Sequence, residues 1–333
     1  MEVVLIFRKS NGIFFSIETV FKTVADHLKN KTDLSVVEMN RGGLSLKSLW
    51  SNMKKLRGVS GDVFHVTGDI HYAVFALPRA KTILTIHDCV FMNNPSRVKR
   101  SFLKRLFLTW PVKYCRLVTT ISEKSRQDII HYTGCSPEKV VVIPNPLNSR
   151  FCFSEKVFNE KCPVILFIGS TSNKNLERVI DAITGIDCLL DIVGQIPEYL
   201  QKKLLEKNVT FKQSSGLTED QLITKYLECD MLLFPSTYEG FGLPIIEAQK
   251  VGRPVITSSI SPMKEVAGDG AVLVDPFSVE SIKNGVLSVI NDRGVRNELI
   301  RKGTINAEKY QAETVATAYL NSYKKISIQK NNN

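Results

Sequence analysis

The feature that most constrains the fold is the alternation of short apolar runs with amphipathic segments along all 333 residues. The apolar runs are rich in β-branched residues, which is typical of strands buried on both faces of a parallel sheet. The predicted strands are Val3–Phe7, Leu34–Val37, Val63–Val66, Thr82–Ile86, Leu117–Ile121, Val140–Ile143, Val164–Ile168, Leu189–Val193, Val209–Phe211, Met231–Phe234, Pro254–Thr257 and Ala271–Val274. The pattern therefore predicts an α/β chain in which helices cover parallel sheets.

The chain is long enough for two domains, and its strands fall into two series. The break lies near Pro144-Asn145-Pro146, where two prolines exclude regular structure. We predict one doubly wound domain over residues 1–147 and a second over residues 148–312. A helical pattern follows over residues 313–327, and we expect the tail at 328–333 to be disordered.

Composition argues against several classes of protein. No run of ~18 apolar residues is present to span a membrane, and the first seven residues have the pattern of a strand rather than of a secretion signal. The seven cysteines form no Cys-x-x-Cys pair. Their spacing favours reduced thiols in a cytoplasmic protein over a disulfide framework or a zinc site. No ligand cluster suggests another metal.

A net charge of +11 indicates a partner such as nucleic acid, a membrane or an anionic substrate. No acidic residue lies between Asp88 and Glu123, whereas the segment Arg97–Arg116 interleaves Lys and Arg with apolar and aromatic residues. This composition suits an amphipathic helix at an anionic membrane surface. A surface helix packed on its own domain, with solvated charges, explains it equally well. No nucleic-acid-binding motif accompanies the charge, so we expect no nucleic acid partner.

Two glutamates eight positions apart enclose a glycine-rich loop in the second half of the chain. The stretch follows a predicted buried strand, runs into a helix, and reads Glu239-Gly240-Phe241-Gly242-Leu243-Pro244-Ile245-Ile246-Glu247. The glycines let the backbone approach a ligand, and the amides of Phe241, Gly242 and Leu243 would face a phosphate at the helix N-terminus. Carboxylates repel phosphate, so Glu239 and Glu247 need other partners, and sugar hydroxyls are the natural ones. The combination predicts a nucleotide-sugar site.

This stretch resembles the signature of retaining glycosyltransferases of family 4, which have the GT-B fold. The pattern of Glu, seven residues and Glu, with Gly-Phe-Gly-Leu-Pro inside it, is complete. The resemblance implies that Glu239 binds hydroxyls of the donor sugar and that Glu247 binds the ribose. It also implies two Rossmann-like domains with an inter-domain cleft, the first binding the acceptor and the second the nucleotide-sugar. The last helix would cross back to the first domain.

A second phosphate-binding element follows another predicted strand and reads Gly169-Ser170-Thr171-Ser172-Asn173-Lys174. A loop that leaves a strand and opens a helix turns its amides toward the crevice at the carboxyl end of the strand. The element looks like the family's Gly…Lys-Asn segment, in which the lysine neutralises the donor diphosphate; Gly169 and Ser170 would lie beside it. Many members have Arg directly after the glycine. Because this chain has Ser170 there, either Lys174 alone carries the charge or Arg178 assists.

Further candidates come from both halves. His87 ends a predicted strand at the ligand-facing edge of the first sheet, where the family has a histidine near the reacting carbon of the donor sugar. The resemblance also implies a contact of Gly12 with the diphosphate or acceptor, and a nucleobase contact through the backbone around Leu217. His71 and Arg41 are candidates for acceptor binding, with an ordinary turn as the alternative at Arg41.

We therefore expect a retaining hexosyltransferase that uses neither a metal nor a cofactor, the nucleotide-sugar being a co-substrate. It would transfer a hexose, with GDP-mannose favoured over UDP- or dTDP-sugars, to a glycan or lipid-linked glycan in cell-surface polysaccharide biosynthesis. Its place would be the cytoplasm or the cytoplasmic face of the inner membrane. A nucleotide-sugar epimerase on the same fold and a non-catalytic sugar-nucleotide- or membrane-binding protein stay open. A dinucleotide dehydrogenase does not fit, because no Gly-x-Gly-x-x-Gly follows the first strand.

Overall fold

The computed structural model describes residues 1–9, 16–43, 45–93 and 96–328. The chain divides into two compact units. The first unit comprises Met1–Pro146 together with Ala312–Asn333, and the second comprises Leu147–Gln311. Each unit is built on a parallel sheet with helices packed against it, which confirms the predicted α/β fold class.

The first unit has a sheet whose central strands are almost fully buried. Its strands are β1 (Glu2–Phe7), β2 (Asp33–Glu38), β3 (Val63–Val66), β4 (Thr82–Ile86), β5 (Leu117–Thr120) and β6 (Val140–Val142). The helices within its first segment, Met1–Pro146, are α1 (Ser16–Leu28), α2 (Leu46–Arg57), α3 (Arg97–Leu103), α4 (Trp110–Tyr114) and α5 (Glu123–Thr133). Among the described residues the strand order is β2-β1-β3-β4-β5-β6, with every pair parallel. The order reverses between β1 and β3, which therefore flank the topological switch point.

The predicted basic helix is present but not regular. A π turn at Lys104–Thr109 joins α3 to α4, and the N–H of Trp110 donates to the carbonyl of Arg105, five residues earlier. Pro111 explains the irregularity: it has no N–H to offer to the carbonyl of Phe107, and its ring crowds that carbonyl. Accommodating one extra residue in a π turn relieves the conflict. We call residues 97–114 the basic helix.

The second unit repeats the architecture. Its strands are β7 (Val164–Ile168), β8 (Leu189–Val193), β9 (Phe211–Ser214), β10 (Met231–Phe234), β11 (Val255–Ser258) and β12 (Val272–Val274). Its helices are α6 (Leu176–Ile183), α7 (Glu198–Glu206), α8 (Glu219–Glu228), α9 (Leu243–Lys250), α10 (Met263–Ala267), α11 (Val279–Asn291) and α12 (Arg293–Ala307). In the described chain the parallel strands follow the order β12-β11-β10-β7-β8-β9, so the switch point lies between β7 and β10.

One predicted strand was misplaced. The apolar run Val209–Phe211 suggested a strand, whereas β9 begins only at Phe211 and continues through polar residues. Val209 is instead buried, and its N–H donates to the carbonyl of Leu204 at the end of α7. The shift has a physical reason: β9 is an edge strand with exposed side chains, so it lacks the apolar signature of a buried strand.

The chain ends in α13 (Ala312–Ile328), which belongs to the first unit and packs against α1. Its inner side is buried through residues such as Val315, Tyr319 and Tyr323. Residues 329–333 of the tail expected to be disordered lie outside the described residues. The second unit is closed at its ends, because the N–H of Leu147 donates to the carbonyl of Tyr310 at 2.7 Å.

Candidate active site

Two loops diverge at the switch point of the second sheet. One follows β7 and spans residues 169–175, and the other follows β10 and spans residues 235–242. At such a point, adjacent strands send their following helices to opposite faces, which leaves a crevice at the carboxyl ends of the strands. Lys174 lies on the first loop and Glu239 on the second. The topology therefore brings together two candidates that are 65 positions apart in the sequence.

Lys174 and Glu239 form an ion pair. The Nζ of Lys174 lies 2.6 Å from the Oε1 of Glu239, and the two side chains are 18% and 14% exposed. The ammonium also lies 4.7 Å from the centre of the Phe234 ring, in a cation–π contact. Gly169 makes room for this arrangement, because a Cβ added there would lie 2.7 Å from Lys174 carbons. A cation and a carboxylate are thus held side by side, partly shielded from water.

Two asparagines that the sequence analysis left without a role hold the loops together. Asn173 donates from Nδ2 to the carbonyl of Tyr238 at 2.8 Å, and its own carbonyl accepts from the N–H of Thr237. Asn175 is buried and donates from Nδ2 to the carbonyls of Pro235 and Pro276. Its φ of 70° is left-handed, a conformation that Asn tolerates better than most residues. The sequence feature that could have indicated this role is the Lys174-Asn175 pair directly before α6.

The glycine loop meets α9 as expected. Gly242 is the N-cap, with a φ of 110° that suits glycine, and Pro244 lies in the first turn. No described side chain caps this N-terminus, so its first amides are not committed to a capping oxygen. Phe241 is buried, and its ring packs edge-on against Tyr310 at 5.6 Å. The Phe241 side chain is therefore committed to packing, which leaves its backbone N–H as the group that could meet a ligand.

Glu247 lies one turn into α9 and is partly buried. Its Oε2 accepts a hydrogen bond of 2.5 Å from the hydroxyl of Tyr226, which is completely buried in α8. Burial raises the pKa of Glu247 to about 7; the hydrogen bond from Tyr226 works in the opposite direction and Glu219 adds to the rise. Tyr226 was missed in the sequence analysis. The sequence feature that could have indicated it is a large aromatic residue in a short, mostly polar helix.

Loops after the neighbouring strands extend the crevice of the second unit. After β8, Gly194 has a φ of 148°, and a Cβ added there would lie 3.1 Å from both the carbonyl carbon of Gly169 and the Cβ of Ser170. After β9, Leu217 is half-buried just before α8, whose N-terminus has a Thr218–Gln221 capping box. Arg178 donates to Asn175 at 2.9 Å. Its guanidinium thus supports the loop next to Lys174.

In the first unit, His87 follows β4 at the carboxyl edge of the sheet. Its Nε2 donates to the carbonyl of Thr67 at 2.9 Å, and a Cβ added to Gly68 would lie 2.8 Å from the ring. Because a carbonyl can only accept, Nε2 carries a proton. Burial lowers the pKa of His87, so the ring is neutral and its Nδ1 is an acceptor. This geometry suits a hydrogen bond from a hydroxyl group.

The same edge carries a charged cluster that the sequence analysis did not single out. Arg8, directly after β1, pairs through Nε with Glu18 of α1 at 2.5 Å and through Nη1 with Asp69 after β3. Asp69 has a φ of 47°, which is uncommon for a residue other than glycine. These side chains lie at the switch point of the first sheet.

The remaining acceptor candidates differ in their positions. His71 is 5% exposed and donates from Nδ1 to the carbonyl of Phe107, which holds the ring inside the unit. Its contact with the acceptor stays a prediction. Arg41 is exposed, while its backbone N–H and carbonyl are both bonded to the side-chain amide of Asn52. Gly12 lies outside the described residues.

The described chain lacks two further features. Within residues 1–9, 16–43, 45–93 and 96–328, no group of three or more His, Cys, Asp or Glu side chains could hold a metal ion. In the same residues, none of the helices has the length and apolar character that crossing a bilayer requires.

Comparison with known proteins decides the family. A model described as Glycosyltransferase Family 4 matches residues 2–151, and one described as Glycosyl transferases group 1 matches residues 149–305. O-antigen chain mannosyltransferase B of Escherichia coli is 34% identical over 296 residues, covering 81% of this chain and 76% of that protein. The chain belongs to glycosyltransferase family 4. O-antigen chain mannosyltransferase RfbU of Salmonella typhimurium is 30% identical to this glycosyltransferase over 223 residues, with 64% and 62% of the chains covered.

Solved structures show that the glycosyltransferase has the GT-B fold. Anabaena HepE, determined with UDP and glucose, superposes with a TM-score of 0.78 at 15% identity, covering 97% of this chain and 99% of that one. WaaG, a glycosyltransferase involved in lipopolysaccharide biosynthesis, superposes with a TM-score of 0.72 at 14% identity, covering 96% and 98%. At such low identity these similarities concern the fold alone.

Proposed function

We propose that this glycosyltransferase transfers mannose from GDP-mannose, with retention of anomeric configuration, to a glycan or lipid-linked glycan in cell-surface polysaccharide biosynthesis. The observation that carries the proposal is the pairing of Lys174 with Glu239 at the switch point, next to the uncapped N-terminus of α9. A donor diphosphate needs a cation and backbone amides, and its sugar needs a hydroxyl acceptor. The names of the two mannosyltransferase relatives support mannose, whereas the UDP bound to HepE keeps UDP-sugars as the competing donors.

The residues suggest a division of labour. Lys174 and the amides of residues 241–243 would bind the diphosphate, which gains negative charge as the sugar leaves. Glu239 would then exchange its ion pair for hydroxyls of the donor sugar, and Glu247 would accept from the ribose. The neutral Nδ1 of His87 would accept a hydrogen bond from a sugar hydroxyl.

Retention would follow from attack on the face of the leaving group. The bond between the anomeric carbon and the β-phosphate oxygen breaks, the acceptor oxygen bonds to the same face, and its proton passes to the departing phosphate. Lys174 and the helix amides supply the positive charge that this step requires, and we propose that neither a metal nor a cofactor takes part. We place the reaction at the cytoplasmic face of a membrane, where an acceptor carried on lipid would be found.

The test is nucleotide release by the full chain from GDP-mannose, UDP-glucose and dTDP-rhamnose, with EDTA present and methyl α-mannoside as a surrogate acceptor. We expect release of GDP, and a loss of at least about 100-fold in Glu239→Gln, as for removal of an electrostatic contact to the reacting centre. Glu198→Gln, an exposed glutamate in the first turn of α7, is the matched control and should keep full activity.

Each result has a defined meaning. Release of UDP or dTDP instead of GDP would overturn the assignment of the donor. Full activity of Glu239→Gln would overturn the proposed role of Glu239. Absence of both nucleotide release and calorimetric donor binding would overturn the proposed glycosyltransferase activity. The anomeric configuration of the product, read by NMR, must be α if the transfer retains the configuration of the donor.

A further inference from the structure

The positive charge of the chain is concentrated in one stretch. Residues 39–122 contain 14 Lys and Arg against three acidic residues, a net charge of +11 that equals that of the whole chain. The other residues hold 30 charges of each sign and are neutral. The three acids are Asp62, Asp69 and Asp88, and none of them lies in α2 or in the basic helix. Both helices therefore carry charge of one sign only.

These two helices are neighbours on one face of the first sheet. The connections from β2 to β3 and from β4 to β5 run in the same direction across the sheet, so right-handed crossovers put both on the same face. Both pack against the short helix His71–Ala76 between them. Tyr72 accepts a hydrogen bond from Asn52 of α2 at 2.9 Å, and the adjacent His71 donates to Phe107 of the basic helix.

The π turn changes which residues of the basic helix point outward. In a regular α-helix, which advances ~100° per residue, Trp110 would lie about 120° around the axis from Val98. One extra residue in the turn returns it to within roughly 20° of Val98. Consistent with this phase, one surface depression is lined by Arg97, Val98, Phe102, Arg105, Leu106 and Trp110. His71 stabilises the turn by donating to the carbonyl that Pro111 leaves without a helical partner.

Large apolar side chains on both helices are exposed. Trp50 of α2 is 67% exposed and lies under the ammonium of Lys54, while Trp110 and Phe102 of the basic helix are 52% and 62% exposed. Leu46 and Val98 are exposed as well. Exposed basic residues surround them, namely Lys47, Lys54, Lys55, Arg57, Arg97, Lys99, Arg105 and Lys113. Exposed tryptophans among lysines and arginines are typical of surfaces that insert into the headgroup region of a bilayer.

We propose that α2 and the basic helix together form one docking surface for anionic lipid headgroups, which we call the basic-aromatic face. The positive charge attracts the lipid surface, and Trp50, Phe102 and Trp110 enter the interface. The three rings would also suit stacked bases, whereas the exposed aliphatic Leu46 and Val98 beside them favour a lipid interface. The proposal gives the location assumed in the proposed function a structural basis, and lipid binding can be measured without donor or acceptor.

The chain contains its own probes, since Trp50 and Trp110 are its only tryptophans. Trp50→Phe leaves a reporter on the basic helix alone, and Trp110→Phe leaves one on α2 alone. The full chain is titrated with vesicles of phosphatidylcholine and with vesicles of equal parts phosphatidylcholine and phosphatidylglycerol. We expect a blue shift of emission in both single-tryptophan variants with the anionic vesicles only, together with co-sedimentation.

Charge variants test the two helices separately. Lys54→Gln with Arg57→Gln on α2, and Lys99→Gln with Arg105→Gln on the basic helix, should each weaken sedimentation by about fivefold per charge removed. Lys161→Gln with Lys212→Gln, two exposed lysines of the second unit, is the matched control and should leave it unchanged.

Several outcomes would overturn the proposal. If only one tryptophan shifts, or only one pair of charges matters, the two helices do not form one surface. If charge variants weaken binding but Trp50→Ser with Trp110→Ser does not, the face binds polyanions in general and heparin will compete fully. If neither vesicle binds while nucleotide release is normal, the membrane surface is wrong and the transferase assignment stands.

Discussion

Glu247 is a carboxylate whose pKa is set by burial and by two neighbouring side chains. Burial raises its pKa to about 7, Tyr226 favours the ionised form by donating a hydrogen bond, and nearby Glu219 disfavours it. In the proposed ribose contact, Glu247 accepts hydrogen bonds from hydroxyl groups, and the ionised carboxylate is the form that accepts with both oxygens. Donor affinity should therefore fall as the pH falls through neutrality.

Tyr226→Phe removes the donor and should move this pH dependence to higher pH, because the remaining influences all raise the pKa of Glu247. At pH 7 we expect binding of GDP to weaken about tenfold, as for loss of a hydrogen bond to a charged group. Calorimetric titration with GDP and UDP across neutral pH measures the effect. Tyr114→Phe, which loses a hydroxyl contact with the carbonyl of Leu77 in the first unit, is the control. Weaker binding with an unshifted pH profile would mean that Tyr226 only supports the packing.

Gly169 offers a test of the ion pair by steric means. Gly169→Ala should displace Lys174 from Glu239, because the new methyl would lie 2.7 Å from the lysine carbons. The φ of 109° adds backbone strain of about 1–3 kcal/mol. Gly185→Ala is matched in having a positive φ of 78° but has open space around it. We expect both variants to melt earlier and only Gly169→Ala to lose donor affinity; wild-type affinity in that variant would contradict the steric argument.

At the scale of elements, a buried polar network fixes α13 to the first sheet. His65 of β3 is hydrogen-bonded through Nδ1 to Tyr323 of α13 at 2.8 Å and through Nε2 to Thr85 of β4 at 2.7 Å. Thr85 in turn contacts Thr119 of β5. All four side chains are fully buried, so the ring can keep its place only as a neutral group.

This network should make the first unit sensitive to acid. Burial lowers the pKa of His65 from 6.5 to about 3. Between these values the unfolded chain binds a proton that the folded chain does not, so stability falls as the pH falls, by at most about 1.4 kcal/mol per pH unit. The thermal midpoint of wild type should therefore drop more steeply than that of His65→Gln below pH 6.5. His131→Gln, an exposed histidine, should follow wild type; parallel curves for all three proteins would exclude His65 as the source.

At the scale of the whole molecule, the fold could be predicted because burial on both faces of a sheet demands continuous apolar runs. Strands such as Val164–Ile168 and Met231–Phe234 carry that signature and are found where it lies. The edge strand β9 does not carry it, because its side chains are exposed, and it was misplaced. The π turn also escaped prediction, although Pro111 is visible in the sequence, since the response of a helix to proline depends on what can bond to the orphaned carbonyl.

The candidate site could be predicted only in part. Glu239, Glu247 and Lys174 belong to local patterns that were found through their glycine-rich loops and their resemblance to a family signature. Their mutual geometry is not local: the ion pair requires β7 and β10 to be neighbours, which depends on sheet order. The contact of Tyr226 with Glu247 likewise depends on how α8 and α9 are placed around the sheet, which no local pattern shows.

Because α13 belongs to the first unit, the two units are completed in a defined order during translation. Residues 147–311 form one uninterrupted unit, closed by the contact of Leu147 with Tyr310. The hydrogen bond between His65 and Tyr323, by contrast, can form only after Tyr323 has been synthesised, 258 residues later. Translation thus delivers every part of the second unit before the first has received its last helix. During synthesis, the unit that begins first is the one that is completed last.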